Sequence, residues 1–192
     1  MKTSFIIKIR WKLIFHKKYL LLKSGDYMIY FDIDGVLAIQ KWDENNLAKP
    51  LYSGGLKVCK PIQEAAKILV ERGYDVAVLS HCSNFYEKEY KIDWIKENFP
   101  FIKKERVNFP DVCFPKNTFI SPKENDILVD DMVKNLEIWD GKKVGCVNGI
   151  NSFTSDFRML GYPMIRTSFH GKRIADVIED VLLNRYDKKD EE

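Results

Sequence analysis

Three short apolar runs in this chain stop abruptly on polar residues, and no other feature constrains its fold as much. Residues 28–31 end in Asp32-Ile33-Asp34-Gly35-Val36, residues 75–79 in Ser80-His81, and residues 127–129 in Asp130-Asp131. The stretches between them have helical period. Pro61 opens a helix with apolar positions Ile62, Ala65, Ala66, Leu69 and Val70, closed by Gly73. A mixed aromatic and charged helix spans about 85–98 and is stopped by Pro100. Further on, 106–109 reads as a short strand, 132–139 as a helix and 143–147 as a strand. A last helix over 171–184 has apolar residues at 174, 177, 178, 181 and 182, the spacing of one buried face. Residues 37–60 contain Pro50, Gly54 and Gly55 and little periodicity, and read as a long loop or small lid.

Continuous apolar strands alternating with amphipathic helices predict an α/β fold: a central parallel sheet covered on both faces, in three layers. Right-handed crossovers then bring every strand's carboxyl end to one edge, where ligands of such sheets bind. Asp32, Asp34, Ser80, His81, Asp130 and Asp131 all fall at that edge. Four converging carboxylates repel unless a cation or an anion-binding network organises them, and a hard divalent ion with oxygen ligands, Mg²⁺, is the simplest resolution.

Composition bears on what else the chain does. At 45% hydrophobic and 31% charged residues, the 192-residue chain can bury a core, which excludes wholesale disorder. No apolar run reaches the ~18 residues needed to span a bilayer. Cys59, Cys82, Cys113 and Cys146 form no C-x-x-C pair, which argues against a zinc site or disulfide scaffold and fits a reduced, cytoplasmic protein. The net charge of +3 is uneven: residues 1–27 carry seven Lys or Arg and one acid, leaving the body at −3. A body of that sign has no global attraction for a nucleic acid polymer. The basic leader, 1–27, lacks an uninterrupted apolar core and is a poor secretory signal. Two readings stay open for it. One is a basic amphipathic segment lying on an anionic membrane surface. The other is a start assigned too early: Gly25-Asp26 can be encoded GGA-GAT, a ribosome-binding sequence just ahead of Met28. On this second reading the product begins at Met28 and residues 1–27 belong to no fold.

Taken together, these residues resemble the haloacid dehalogenase superfamily over residues 28–192. The D-x-D-G-V of 32–36 looks like its first motif, Ser80 its second, a lysine its third, and Asp130-Asp131 its fourth. More narrowly, I-L-V-D-D-M-V-K-N-L-E-I-W at 127–139 followed by Asn148-Gly149-Ile150-Asn151 is similar to the 5′(3′)-deoxyribonucleotidase-like branch. Leu51-Tyr52 through Leu56, ahead of Glu64-Ala65-Ala66, also looks like that branch. The resemblance implies a Rossmann-like phosphatase domain over 28–192 with residues 37–60 as a small lid. It implies Mg²⁺ as cofactor and a nucleoside monophosphate as substrate. Another small phosphometabolite or a nucleic acid terminus is the alternative within enzymes. A receiver-like phospho-acceptor domain and an inert phosphate-binding module are the alternatives outside them.

The chemistry assigns roles. A phosphomonoester needs a nucleophile, a proton donor for the leaving alkoxide, and neutralisation of its oxygens. Asp32 is the expected nucleophile and Asp34 the general acid and base. Ser80, His81 and a lysine are expected around the phosphate. Asp32, the Asp34 main-chain carbonyl, Asp130 and Asp131 are expected around Mg²⁺. Lys123 precedes the strand that ends at Asp130, so at ~3.3 Å per residue it falls toward the far edge, which favours Lys116. Asp131 reads equally as a ligand, a supporting group or a helix cap. Asn135 is expected to orient the acidic loop or pack the helix start, and His16 and His170 to be packing or surface histidines. Trp42 and Tyr52 suit either base stacking or an apolar plug, and Trp94, Ile95 and Phe99 suit the core.

Overall fold

A computed structural model describes residues 27–39, 56–150 and 152–187. Its centre is a six-stranded sheet built from β1 (Ile29–Phe31), β4 (Val76–Leu79), β5 (Val107–Asn108), β6 (Ile127–Asp130), β7 (Lys142–Val147) and β8 (Met164–Arg166). The spatial order is β5-β4-β1-β6-β7-β8, and every pairing is parallel. The helices are α1 (Lys60–Glu71), α2 (Phe85–Asn98), α3 (Lys116–Phe119), α4 (Val133–Glu137), α5 (Thr154–Leu160) and α6 (Gly171–Leu182). Among the described residues, no helix is long and apolar enough to cross a membrane.

Alternation along each strand explains why both faces are covered. Ile29, Phe31, Val76, Val78, Ile127 and Val129 enter one apolar cluster with α1, α2 and α6. Tyr30, Ala77, Leu79 and Leu128 point the other way, into a second cluster with Leu136 of α4, Trp139 and Phe157 of α5. The result is the expected three-layer α/β/α sandwich. Trp94, Ile95 and Phe99 are core, as their spacing predicts.

Register positions the site. Phe31 pairs with Val78 on one side and Val129 on the other, so the next residues, Asp32, Leu79 and Asp130, stand level at the carboxyl edge. The Asp32 N–H donates to the Val129 carbonyl at 3.0 Å, carrying the ladder to the last possible residue.

The structure departs from the sequence reading in several places. Residues 37–60 are not loop throughout: β2 (Ala38–Ile39) and β3 (Lys57–Val58) form an antiparallel pair at the base of this segment. Two-residue strands carry too little alternation to be read from sequence. Helix α5, strand β8 and the single-turn α3 were not anticipated. Helix α5 buries only Phe157, so it has no apolar stripe. The helix expected over 132–139 is shorter, Val133–Glu137. Tyr27, placed in the leader by its sequence position, is buried beside Tyr74 with ring centroids 5.8 Å apart. Residues 1–26, with His16 and the rest of the leader, and Trp42 and Tyr52 lie outside the described residues.

Candidate active site

The first βα connection sets the centre of the site. After β1 the chain turns through Gly35, whose φ of +85° lies in the left-handed region where a side chain is strained. A Cβ there would fall 1.9 Å from Asp131 Oδ2, so glycine is also the only residue that lets this turn approach the acidic pair. The turn is closed by the Gly35 N–H to the Ala38 carbonyl at 2.8 Å and the Ala38 N–H to the Ile33 carbonyl at 2.8 Å. Asp32 and Asp34 thereby face different surroundings.

Asp32 belongs to a buried carboxylate group. Oxygens of Asp32, Asp130 and Asp131 lie within 4.8 Å of one another. Lys116, wholly buried, donates to Asp32 Oδ1 at 2.8 Å and to Asp130 Oδ2 at 2.6 Å. Burial opposes the Lys116 ammonium, but Asp130 and Asp32 outweigh it and hold the lysine protonated above its ordinary range. Asp130 is fixed further by the Met132 N–H at 2.8 Å and by the Asn135 amide at 3.1 and 3.0 Å. Asn135 therefore orients the acidic loop. The cap position of α4 is Met132, not Asp131. Asp131 instead receives the Asn148 amide at 3.1 Å, and the same amide reaches the Gly35 carbonyl at 3.1 Å.

Asp34 is held elsewhere. Its Oδ2 accepts from Lys91 Nζ at 2.6 Å, and the same ammonium donates to the His81 carbonyl at 2.7 Å and Glu87 Oε1 at 2.8 Å, with Ser80 Oγ at 3.5 Å. Burial, with the nearby Asp32 charge, pushes the Asp34 carboxyl above its ordinary range, and Lys91 only partly offsets this. Two carboxylates two residues apart thus sit in distinct environments, the condition under which one acts as nucleophile and the other carries a proton.

Ser80 is buried at the end of β4, its N–H bonded to the Asn108 carbonyl at 3.1 Å. The Cys82 N–H is likewise taken, by Pro110 at 3.0 Å, so these two amides do not serve a phosphate. The His81 ring lies 3.0 Å from the Phe114 carbonyl, on the exposed side of the same turn. Burial pushes the adjacent Cys82 thiol up to about 12, which removes it as a nucleophile. Lys123 is exposed, and its N–H binds Asp126 Oδ2 at 2.8 Å at the opposite end of β6. His170 caps α6, with Nδ1 accepting the Arg173 N–H at 3.2 Å.

Sequence reasoning missed two functional candidates. Lys91 stands three and four residues before Trp94 and Ile95, on the buried face of α2, and a lysine on an apolar stripe was the available signal. Asn148 lies in the Asn148-Gly149-Ile150 turn after β7, yet nothing local marks it as a partner of Asp131.

The donor set fits a hard divalent cation. Lys91 and Lys116 pair with Asp34, Glu87, Asp32 and Asp130, and the oxygens of Asp32, Asp130 and Asp131 converge where a phosphate is expected to bind. The clustered ligands are all oxygens, the type suited to Mg²⁺, Ca²⁺ or Mn²⁺.

No protein-family profile matches the chain. A Staphylococcus epidermidis protein provisionally named 5′(3′)-deoxyribonucleotidase is 30% identical over 129 residues, covering 65% of this chain and 66% of that protein. The 5′(3′)-deoxyribonucleotidases of Bacillus subtilis and of Bacillus phage SPbeta are each 32% identical over 90 residues, 46% of this chain and 48% of theirs. The chain is therefore similar to bacterial and phage proteins of that name, over about half to two thirds of the length of each relative.

Proposed function

We propose that this protein is a Mg²⁺-dependent phosphomonoester hydrolase of the haloacid dehalogenase type that dephosphorylates nucleoside monophosphates, deoxynucleotides in particular. The observation that carries the reading is the separation of Asp32 from Asp34: one carboxylate in the triad beneath Lys116, the other in the grip of Lys91. The names of the bacterial and phage relatives supply the nucleotide. On this reading residues 28–192 form the catalytic domain, and residues 37–60 its lid.

The chain's own groups account for both half-reactions. Asp32 attacks phosphorus and the bond to the leaving oxygen breaks, giving an aspartyl-phosphate, while Asp34 passes its proton to the departing alkoxide. Asp34, now a carboxylate, then takes a proton from water as that water attacks the same phosphorus. Inorganic phosphate leaves and Asp32 is regenerated. Lys116 and the Ser80 hydroxyl neutralise and orient the phosphoryl oxygens. Mg²⁺ would be held by Asp32, Asp130, Asp131 and the Asp34 main-chain carbonyl, and supplies charge neutralisation at the phosphoryl group when bound. A receiver-like domain that merely keeps its phosphate has no use for a protonatable group such as Asp34.

Phosphate release from a panel of deoxynucleoside and ribonucleoside monophosphates, with Mg²⁺ and with chelator, tests the reading. Turnover that depends on the metal and is abolished in Asp32→Asn is expected. Absence of turnover on every member of the panel overturns the nucleotide assignment, and full activity in Asp32→Asn overturns the nucleophile.

A further inference from the structure

We infer that Lys91 is a positioning residue for the reaction, clamping one oxygen of Asp34 so that the other is presented to the leaving group. This inference rests on the phosphatase reading above. Lys91 is wholly buried on α2, 57 residues along the chain from Asp34. Its ammonium has three N–H bonds to give, and three oxygens lie at 2.6–2.8 Å: Asp34 Oδ2, the His81 carbonyl and Glu87 Oε1. With all three directions matched, the ammonium cannot swing, and neither can the carboxylate oxygen it holds. Asp34 Oδ1, by contrast, is the buried side-chain oxygen without a hydrogen-bond partner among the described residues. The two oxygens of one carboxyl are therefore distinguished by the fold, one tethered and one buried without a hydrogen-bond partner.

The clamp is itself anchored. Glu87 Oε2 accepts from the Ser83 N–H at 2.9 Å and the Ser83 hydroxyl at 2.5 Å, while Asn84 Oδ1 accepts the Glu87 N–H at 2.9 Å. The start of α2 thus fixes Glu87, Glu87 fixes Lys91 one turn on, and Lys91 fixes Asp34. Ser80 Oγ, 3.5 Å from the same ammonium, ties the turn after β4 to the turn after β1. An apolar residue of similar length would pack this helix against the core without the desolvation that a buried ammonium costs. The charge is accounted for by what it holds.

The test separates proton donation from general damage. Lys91→Met keeps the volume and removes the charge. Alkyl phosphates such as a deoxynucleoside monophosphate need the donated proton, whereas p-nitrophenyl phosphate releases a phenolate that does not. In Lys91→Met, kcat/KM for the deoxynucleotide should fall about 10²-fold or more, within the range of general acid catalysis, while that for p-nitrophenyl phosphate falls less than about 10-fold. Adding Lys91→Met to Asp34→Asn should cause little further loss on the deoxynucleotide, because both act through one group. Glu87→Gln, a gentler change whose folding is checked by thermal melting, should show the same selectivity between substrates at smaller amplitude. Equal losses on both substrates in Lys91→Met and Glu87→Gln, or additive losses in the double variant, overturn the inference while leaving the phosphatase reading intact. No turnover of either substrate by the unsubstituted protein overturns both.

Discussion

Lys116 and Lys123 stand seven residues apart, yet they meet opposite ends of one strand. Lys116 bridges Asp32 and Asp130 at the carboxyl edge, and Lys123 turns the chain into β6 at the amino edge. Lys116→Ala should therefore cost about 1.5–3 kcal/mol of transition-state stabilisation, a loss of roughly 10- to 150-fold in kcat/KM. It should also lower the melting temperature, since Asp32 and Asp130 lose their shared ammonium. Lys123→Ala should leave both quantities near those of the unsubstituted protein, because its contact to Asp126 is made by the backbone N–H and survives the change. Steady-state kinetics and thermal melts of the two variants check this. Strand rise set Lys123 aside, and the loop returning past the carboxyl edge, with the Phe119-Ile120 pair that resembles the family's pattern, favoured Lys116. Lys91 did not follow: its spacing to Trp94 and Ile95 marks it as lying on a buried face, but its partner depends on how α2 crosses the sheet.

At the scale of elements, α1 and α6 are joined by a polar clamp as well as by their apolar faces. Arg72, at the end of α1, donates to Glu179 Oε2 at 2.5 Å and to Asp176 Oδ1 at 2.7 Å, and the Tyr74 hydroxyl donates to Glu179 Oε1 at 2.6 Å. Glu179 is almost fully buried, so Arg72→Ala removes a charge partner from a carboxylate that water hardly reaches. A loss of about 1–3 kcal/mol in urea unfolding at neutral pH is expected. The pH dependence follows from Asp176. Burial pushes its carboxyl up, but the hydrogen bonds from Lys172 and Arg72 outweigh that and hold it below the ordinary value near 3.8. A depressed folded value means its stabilisation is present above that ordinary value and is lost as pH falls through the folded one. Arg72→Ala should thus show a shallower loss of stability on acidification than the unsubstituted protein. An unchanged acid limb would place the acid sensitivity elsewhere. This clamp was not legible in the sequence, since Arg72 and Glu179 are 107 residues apart, while the helices that carry it were plain from their apolar spacing.

For the whole molecule, the packed core includes Tyr27, one residue before Met28. The Tyr27 ring is buried against Tyr74, and the Met28 N–H donates to Asp126 Oδ1 at 2.6 Å, tying the entry of β1 to the entry of β6. A chain that starts at Met28 keeps β1 and the candidate catalytic residues but loses the Tyr27 ring. Compared with a chain that retains Tyr27 behind an initiating methionine, it should be about 1–3 kcal/mol less stable, with the same turnover. Paired thermal melts and phosphate-release assays check both halves, and equal stability would show that the Tyr27 contact contributes nothing.

The sequence by itself determined the layered architecture and the edge on which the chemistry collects. Continuous apolar runs must be covered on both faces, and parallel strands must send their polar termini to one side; both are consequences of local pattern. The tertiary structure alone decided which groups meet there. Lys116 reaches Asp32 across 84 residues, Lys91 reaches Asp34 across 57, and Asn148 reaches Gly35 across 113. Such pairings depend on strand order, helix rotation and the length of each crossover, and no local period records them. The short elements escaped for a different reason. β2, β3 and β8 have two or three residues each and α5 buries one side chain, so burial by their neighbours, rather than their own pattern, makes them what they are.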